Sequence, residues 1–191
     1  MKNMVVCVMI ALTAVCASDP AKRAEVATTE SARLAPPSRS LSAFNSFQLE
    51  AMALSAEVRQ DPKKVEVAQQ LEEKLRAKVL PLLEGWGSRA DRSGGTKTLV
   101  IRPTLVSLRV VSGGARFWAG AFVGDSSVDL DLEIVDGEAS SVLARPRISR
   151  SASAMGGAWS VGATDKNLLD YIVDISHQYL SDSYQQKRAR A

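Results

Sequence analysis

Seven consecutive residues constrain the fold of this chain more than any others: Val128-Asp129-Leu130-Asp131-Leu132-Glu133-Ile134. Four apolar side chains alternate with three carboxylates. An extended backbone with one buried and one hydrated face accommodates that order, and a helix would scatter both sets around its circumference. A sheet containing such a strand needs apolar cover on one side. Asp136-Gly137 begins a reversal, and Val142 to Ile148 returns beside the strand. With Ile134 opposite Val142, Asp131 faces Arg145 and Asp129 faces Arg147; a slip of two residues is the alternative register. Opposite charges across an antiparallel pair attract and help to set that register.

Two helices supply the cover. Asp61-Pro62 pairs a capping carboxylate with proline at the first helical position. The helix that follows carries Ala68, Leu71, Leu75, Val79 and Leu82 on one stripe, with Lys64, Glu66, Glu72, Glu73, Lys74 and Lys78 on the other face. Pro81 is expected to disturb its last turn, and Gly85 and Gly87 to close it. A final helix, capped by Thr164 with Asp165 in its first turn, buries Leu168, Ile172, Ile175 and Tyr179.

Further strands are expected from Ser46 to Leu54 and from Leu99 to Val111, with a short apolar segment from Phe117 to Val123. Pro103 cannot donate to a ladder and so marks an edge or a bulge. Ser149 to Gly162 is small and glycine-rich, and reads as a loop. Adjacent strands with segregated helices indicate an α+β fold: an antiparallel or mixed sheet of four or five strands with two helices packed on one face. The domain extends over residues 46–182, between a flexible linker at 18–45, rich in Ala, Ser, Thr and Pro, and a basic tail at 183–191.

The N-terminus sets the compartment. Lys2 precedes the apolar run from Met4 to Val15, and small residues follow at Cys16, Ala17 and Ser18. This is the order of a secretory signal peptide, 1–17, and the run is too short for the ~20 residues of a membrane-spanning helix. The chain has two cysteines; Cys7 lies within the signal, so no internal disulfide is available to an exported domain. Cys16 stands where a lipoprotein signal places its acylated cysteine, although Val15 departs from the usual small residue there; cleavage after Ala17 is the alternative. The 24 basic and 21 acidic residues are nearly balanced, which gives no reason to expect nucleic-acid binding. The tail cations Lys187, Arg188 and Arg190 read as a solubilising terminus.

Candidate chemistry is sparse. Asp129, Asp131 and Glu133 share a strand face, but a calcium loop requires irregular backbone and converging oxygens. His177 is the only histidine, set between the buried positions Ile175 and Tyr179, and no Gly-x-Ser-x-Gly nucleophile motif occurs. One histidine and at most one lipidated cysteine do not make a zinc site. Gly156-Gly157 lacks the Lys-Ser/Thr of a phosphate loop. No catalytic residue, metal or cofactor is therefore expected. Phe117, Trp118, Phe122 and Trp159 are candidates for an apolar interface or ligand groove, against the alternative of ordinary core.

The runs LVIRPTL, ARFWAGAFVGDSSVDLDLEIVDGE and GGAWSVGATDKNLLDYI resemble a group of bacterial envelope lipoproteins carrying a domain of unknown function. In outline they are similar to YajG-type lipoproteins and, more distantly, to the periplasmic domain of curli-secretion lipoproteins. The resemblance covers residues 46–182. It implies export, an envelope location and an α/β sandwich, and it transfers no catalytic residue.

The expectation is thus a non-catalytic accessory or assembly module in the periplasm, held to the outer membrane by a lipid on Cys16. It would contact another envelope protein or a second copy of itself, through strand edges near Pro103 and the Trp118 segment. The alternative is a soluble periplasmic binder of a small apolar or glycan ligand, with Trp118 and Trp159 lining its site.

Overall fold

The structure is a computed structural model and describes residues 20–91, 93, 95–109, 126–151 and 163–184. Cys16, Phe117, Trp118, Phe122, Trp159 and the tail cations lie outside the described residues.

The elements follow in the order α1 (Pro20–Arg33), β1 (Ser46–Leu49), β2 (Ala53–Leu54), α2 (Ala56–Arg59), α3 (Pro62–Arg89), β3 (Thr98–Arg109), β4 (Ser127–Asp136), β5 (Ser141–Ala144), β6 (Arg147–Ser151) and α4 (Ala163–Tyr184). The fold is α+β, and its described strands form one six-stranded mixed sheet. β3 and β4 are central and antiparallel. β1 and β2 both pair with β3 in parallel, and β5 and β6 both pair with β4 antiparallel. Six strands arise because two expected strands are each divided. Ser46 to Leu54 breaks into β1 and β2, and the returning strand breaks at Arg145-Pro146.

Pro103 explains the first break. The carbonyls of Lys97, Ile101 and Leu105 accept from Ser46, Glu50 and Ser55. Odd-numbered residues of β3 thus face the β1/β2 side, and Pro103 has the same parity. Its missing donor falls where β1 has ended and β2 has not begun, so no ladder bond is lost. The strand edge expected near Pro103 is therefore corrected: β3 is flanked on both sides, Pro103 is buried opposite Leu132, and the register shift lies further on, between Leu105 and Ser107.

The alternating strand behaves as its pattern requires. Val128, Leu130, Leu132 and Ile134 are at most 1% exposed and join Leu71, Leu75 and Val79 of α3 and Leu168, Ile172 and Ile175 of α4 in one core. Asp61 caps α3 by accepting from the Lys63 amide at 2.9 Å. α3 does not close at Pro81 but continues to Arg89, and its buried stripe ends on Leu83 and Trp86. Ala77 and Pro81 are both exposed, so the carbonyl deprived of its donor lies on the solvent side, where it costs little.

The expected flexible linker at 18–45 is also corrected. α1 occupies much of it and buries Ala27 and Ser31, while Leu41 and Phe44 beyond it enter the core. The Ser31 hydroxyl donates to Asp182 at 2.8 Å, and the Tyr179 hydroxyl to the Ala35 carbonyl at 2.9 Å. Polar contacts with α4, invisible to an apolar-period reading, hold this segment down.

The three long helices run the same way. Lys74 and Lys78 of α3 meet Asp170 and Asp174 of α4, and Trp86 stacks on Tyr184 at 4.3 Å between centroids. Arg23 of α1 reaches Asp170 and Asp174, and Ser31 reaches Asp182. Trp86, near the end of α3, packs edge-on against Phe47 of β1, whose partner is Leu99 at the start of β3. The helices therefore run antiparallel to β3.

Candidate functional site

Two polar surfaces stand out among the described residues. The first is the sheet face turned away from the helices. Arg102 of β3 donates from Nε to Glu50 at 3.1 Å and lies 3.7 Å from Glu133 of β4, which also pairs with Arg145. Two residues along β4, Asp131 receives Arg147 in a forked pair at 2.7 and 2.8 Å. The bond to Glu50, then its charge and that of Glu133, push the Arg102 guanidinium above its ordinary value. Asp131, by bond and then charge, with Asp129 beyond it, does the same for Arg147. The result is a row of alternating charges, neutralised within itself, across β3, β4 and the β5/β6 strand.

The cross-strand pairs are displaced by two residues from the primary expectation and occupy the alternative register. Asp131 opposes Arg147 rather than Arg145, Arg145 bonds Glu133, and Asp129 opposes Ser149. Ile134 lies opposite Ala144 rather than Val142, with an irregularity between Ile134 and Val135. The reversal needs the additional length because Asp136 itself turns the chain. Its carboxylate accepts from the Glu138 and Ala139 amides, and the Gly137 amide bonds back to Thr98 at 2.8 Å. A Cβ on Gly137 would sit 3.1 Å from the Thr98 carbonyl oxygen, so glycine suits that approach.

The second surface is the acidic ridge of α4, Asp170 and Asp174, clasped by Arg23 from α1 and by Lys74 and Lys78 from α3. His177 lies one turn along. Burial first, then the nearby Lys78 charge, lower its pKa below 6.5, and Asp174 opposes them. The neighbouring Ser176 hydroxyl is buried and donates to the Ile172 carbonyl within the same helix at 2.7 Å. Within the described residues, no group of three or more His, Cys, Asp or Glu side chains is placed to hold a metal ion. The arrangement supports docking of helices and polar contact.

A third feature is structural. Asn45 pins the α3–β3 connection, donating to the Asp91 and Gly95 carbonyls at 3.1 and 2.7 Å and accepting from the Lys97 amide at 2.7 Å. Sequence reasoning missed Asn45, Arg23 and the aromatic group of Phe47, Trp86 and Tyr184. The signal for Trp86 was the continuation of the period Leu75–Val79–Leu83 past Pro81. Nothing local marked Asn45 or Arg23. The interface candidates Phe117, Trp118, Phe122 and Trp159 belong to segments joined to Arg109, Ser127 and Ser151, which are neighbours at one end of the sheet.

No protein-family model matches this chain, and no curated protein does. Among solved structures, the PelC dodecamer from Paraburkholderia phytofirmans is similar at 15% identity and a TM-score of 0.43, over 77% of this chain and 94% of that one. A Xanthomonas campestris protein of family DUF330 is similar at 11% identity and a TM-score of 0.41, over 80% of this chain and 91% of that one. A putative neuraminyllactose-binding hemagglutinin homolog from Helicobacter pylori follows at 9% identity and a TM-score of 0.35, over 75% and 89% of the respective chains. Likenesses this distant carry no function from those proteins to this one.

Proposed function

We propose that this chain is an exported, non-catalytic envelope protein, lipid-anchored at Cys16 in the periplasm, which serves as an accessory or assembly module for another envelope component. The observation that carries this reading is the N-terminal order of Lys2, the apolar run Met4 to Val15, and Cys16. The packing of α1 supports it, because a chain emerging from an anchor meets the folded domain within a few residues and is held there by Arg23 and Ser31. The contact surface is the outer β5/β6 strand. Val142, on β5, is half exposed, and the ion-paired Arg145 and Arg147 beside it give this strand a polar rim. A lipid label incorporated in vivo, with and without globomycin, tests the anchor: incorporation that is blocked by the drug is expected, and an unlabelled protein overturns the reading. Crosslinking from intact cells followed by pull-down tests the module role, and recovery of the chain alone at every crosslinker length argues against an envelope partner.

A further inference from the structure

Resting on the anchored reading, we propose that the domain stands on its lipid surface in one orientation: the end where β3, β6 and the helix N-termini meet faces the bilayer, and the end with the 90–97 connection and the Gly137 turn faces away. The argument uses the direction of α1. Because Arg23 pairs with Asp170 and Asp174 while Ser31 pairs with Asp182, α1 is parallel to α4, and Pro20 lies near the α4 N-terminus. Tyr171 of α4 lies over the Arg150 guanidinium, 5.5 Å from ring centroid to Cζ, and Arg150 adjoins the last residue of β6. Ser151 is beside Ser127, and Ser127 beside Arg109, the last residue of β3. Pro20 therefore leaves the domain at this end of the sheet.

Four residue steps separate Cys16 from Pro20, and even a fully extended chain spans only ~14 Å over them. The opposite end of the sheet lies nine residues along β4, ~30 Å away. An anchor at residue 16 therefore reaches lipid from one end and cannot do so from the other unless α1 leaves its groove. Charge agrees with this direction. Lys22 and Lys63 are exposed in the first turns of α1 and α3; of the acids nearby, Glu57 is paired with Lys64 and Asp61 accepts from the Lys63 amide. Cations so placed suit anionic phospholipid headgroups.

The test uses the full chain processed and acylated in cells, extracted and reconstituted in vesicles of phosphatidylethanolamine and phosphatidylglycerol. A fluorophore is attached at Ser149→Cys, near the bilayer end, or at Ser141→Cys, whose strand partners lie seven residues further along β4, ~23 Å away. With a headgroup-attached quencher, quenching at residue 149 is expected to exceed that at residue 141 at least threefold. Equal or reversed quenching on protein whose intact mass shows the acyl group overturns the orientation alone. A mass without the acyl group overturns the anchored reading and the orientation with it. A third variant, Arg23→Glu, releases α1, and the difference between the two labels should then shrink; an unchanged difference would show that α1 does not set the orientation.

Discussion

Asp131 and Arg147 face each other across β4 and β6 with both guanidinium contacts under 3 Å, and this pair, with the Asp136–Gly137 turn, matches the register of the outer strand. A shift of one residue would turn Ile148, now buried opposite Leu130, to the solvent face. Apolar burial forbids the odd shifts, and the charge pairs decide between the even ones. Asp131→Lys should therefore lower the melting temperature. The swap Asp131→Arg with Arg147→Asp should recover most of that loss in a thermal denaturation series. Failure of the swap to recover stability would mean that the pair does not set the register.

The core is more sensitive than this exposed pair. Leu71 is fully buried between α3 and the sheet, and Leu71→Ala should cost ~2–5 kcal/mol in a urea titration, the usual range for such a truncation. Tyr179→Phe keeps the ring and removes the hydroxyl bond to the Ala35 carbonyl, at ~0.5–1.5 kcal/mol. A loss as large as that of Leu71→Ala would show that Tyr179 has a further role.

α1 is held by charge and hydrogen bonds around a small buried stripe, so it should be separable from the rest. Arg23→Glu places like charge against Asp170 and Asp174. Hydrogen exchange over residues 20–33 should accelerate at least tenfold, with β3 and β4 remaining protected. Uniform deprotection would instead make α1 part of the global cooperative unit.

His177 gives stability a pH dependence of known sign. Folding lowers its pKa from 6.5, so the folded state favours the neutral ring and the unfolded state takes up the proton first. Stability is fully present above pH 6.5 and is lost progressively as pH falls from there through the depressed folded value. The Lys78 charge adds to the effect of burial and Asp174 opposes it, so Lys78→Met should bring the folded value back toward 6.5 and make the loss smaller. His177→Gln should remove this component of the stability–pH curve. An identical slope in that variant would assign the dependence to other groups.

Much of the fold is legible locally. Residues 128–134 can satisfy their side chains only as a half-buried strand, Asp61-Pro62 announces a helix start, and Leu168, Ile172, Ile175 and Tyr179 mark one face of another helix. Each of these depends on neighbours within a turn or two.

Long-range contacts decided the remainder. α1 has too little apolar surface to advertise itself, and it is ordered because α4 presents Asp170, Asp174 and Asp182 along one side. Pro103 looks like an edge residue until β1 and β2 are seen to leave a gap for its missing donor. The outer-strand register depends on a turn in which Asp136 and Gly137 bond back to their own loop and to Thr98. Periodicity and caps act over a few residues, and they were enough to mark the alternating strand β4 and the apolar stripes of α3 and α4. Tertiary structure decided their direction and partners, because a hydrogen bond or ion pair between residues 147 positions apart leaves no trace in either segment alone.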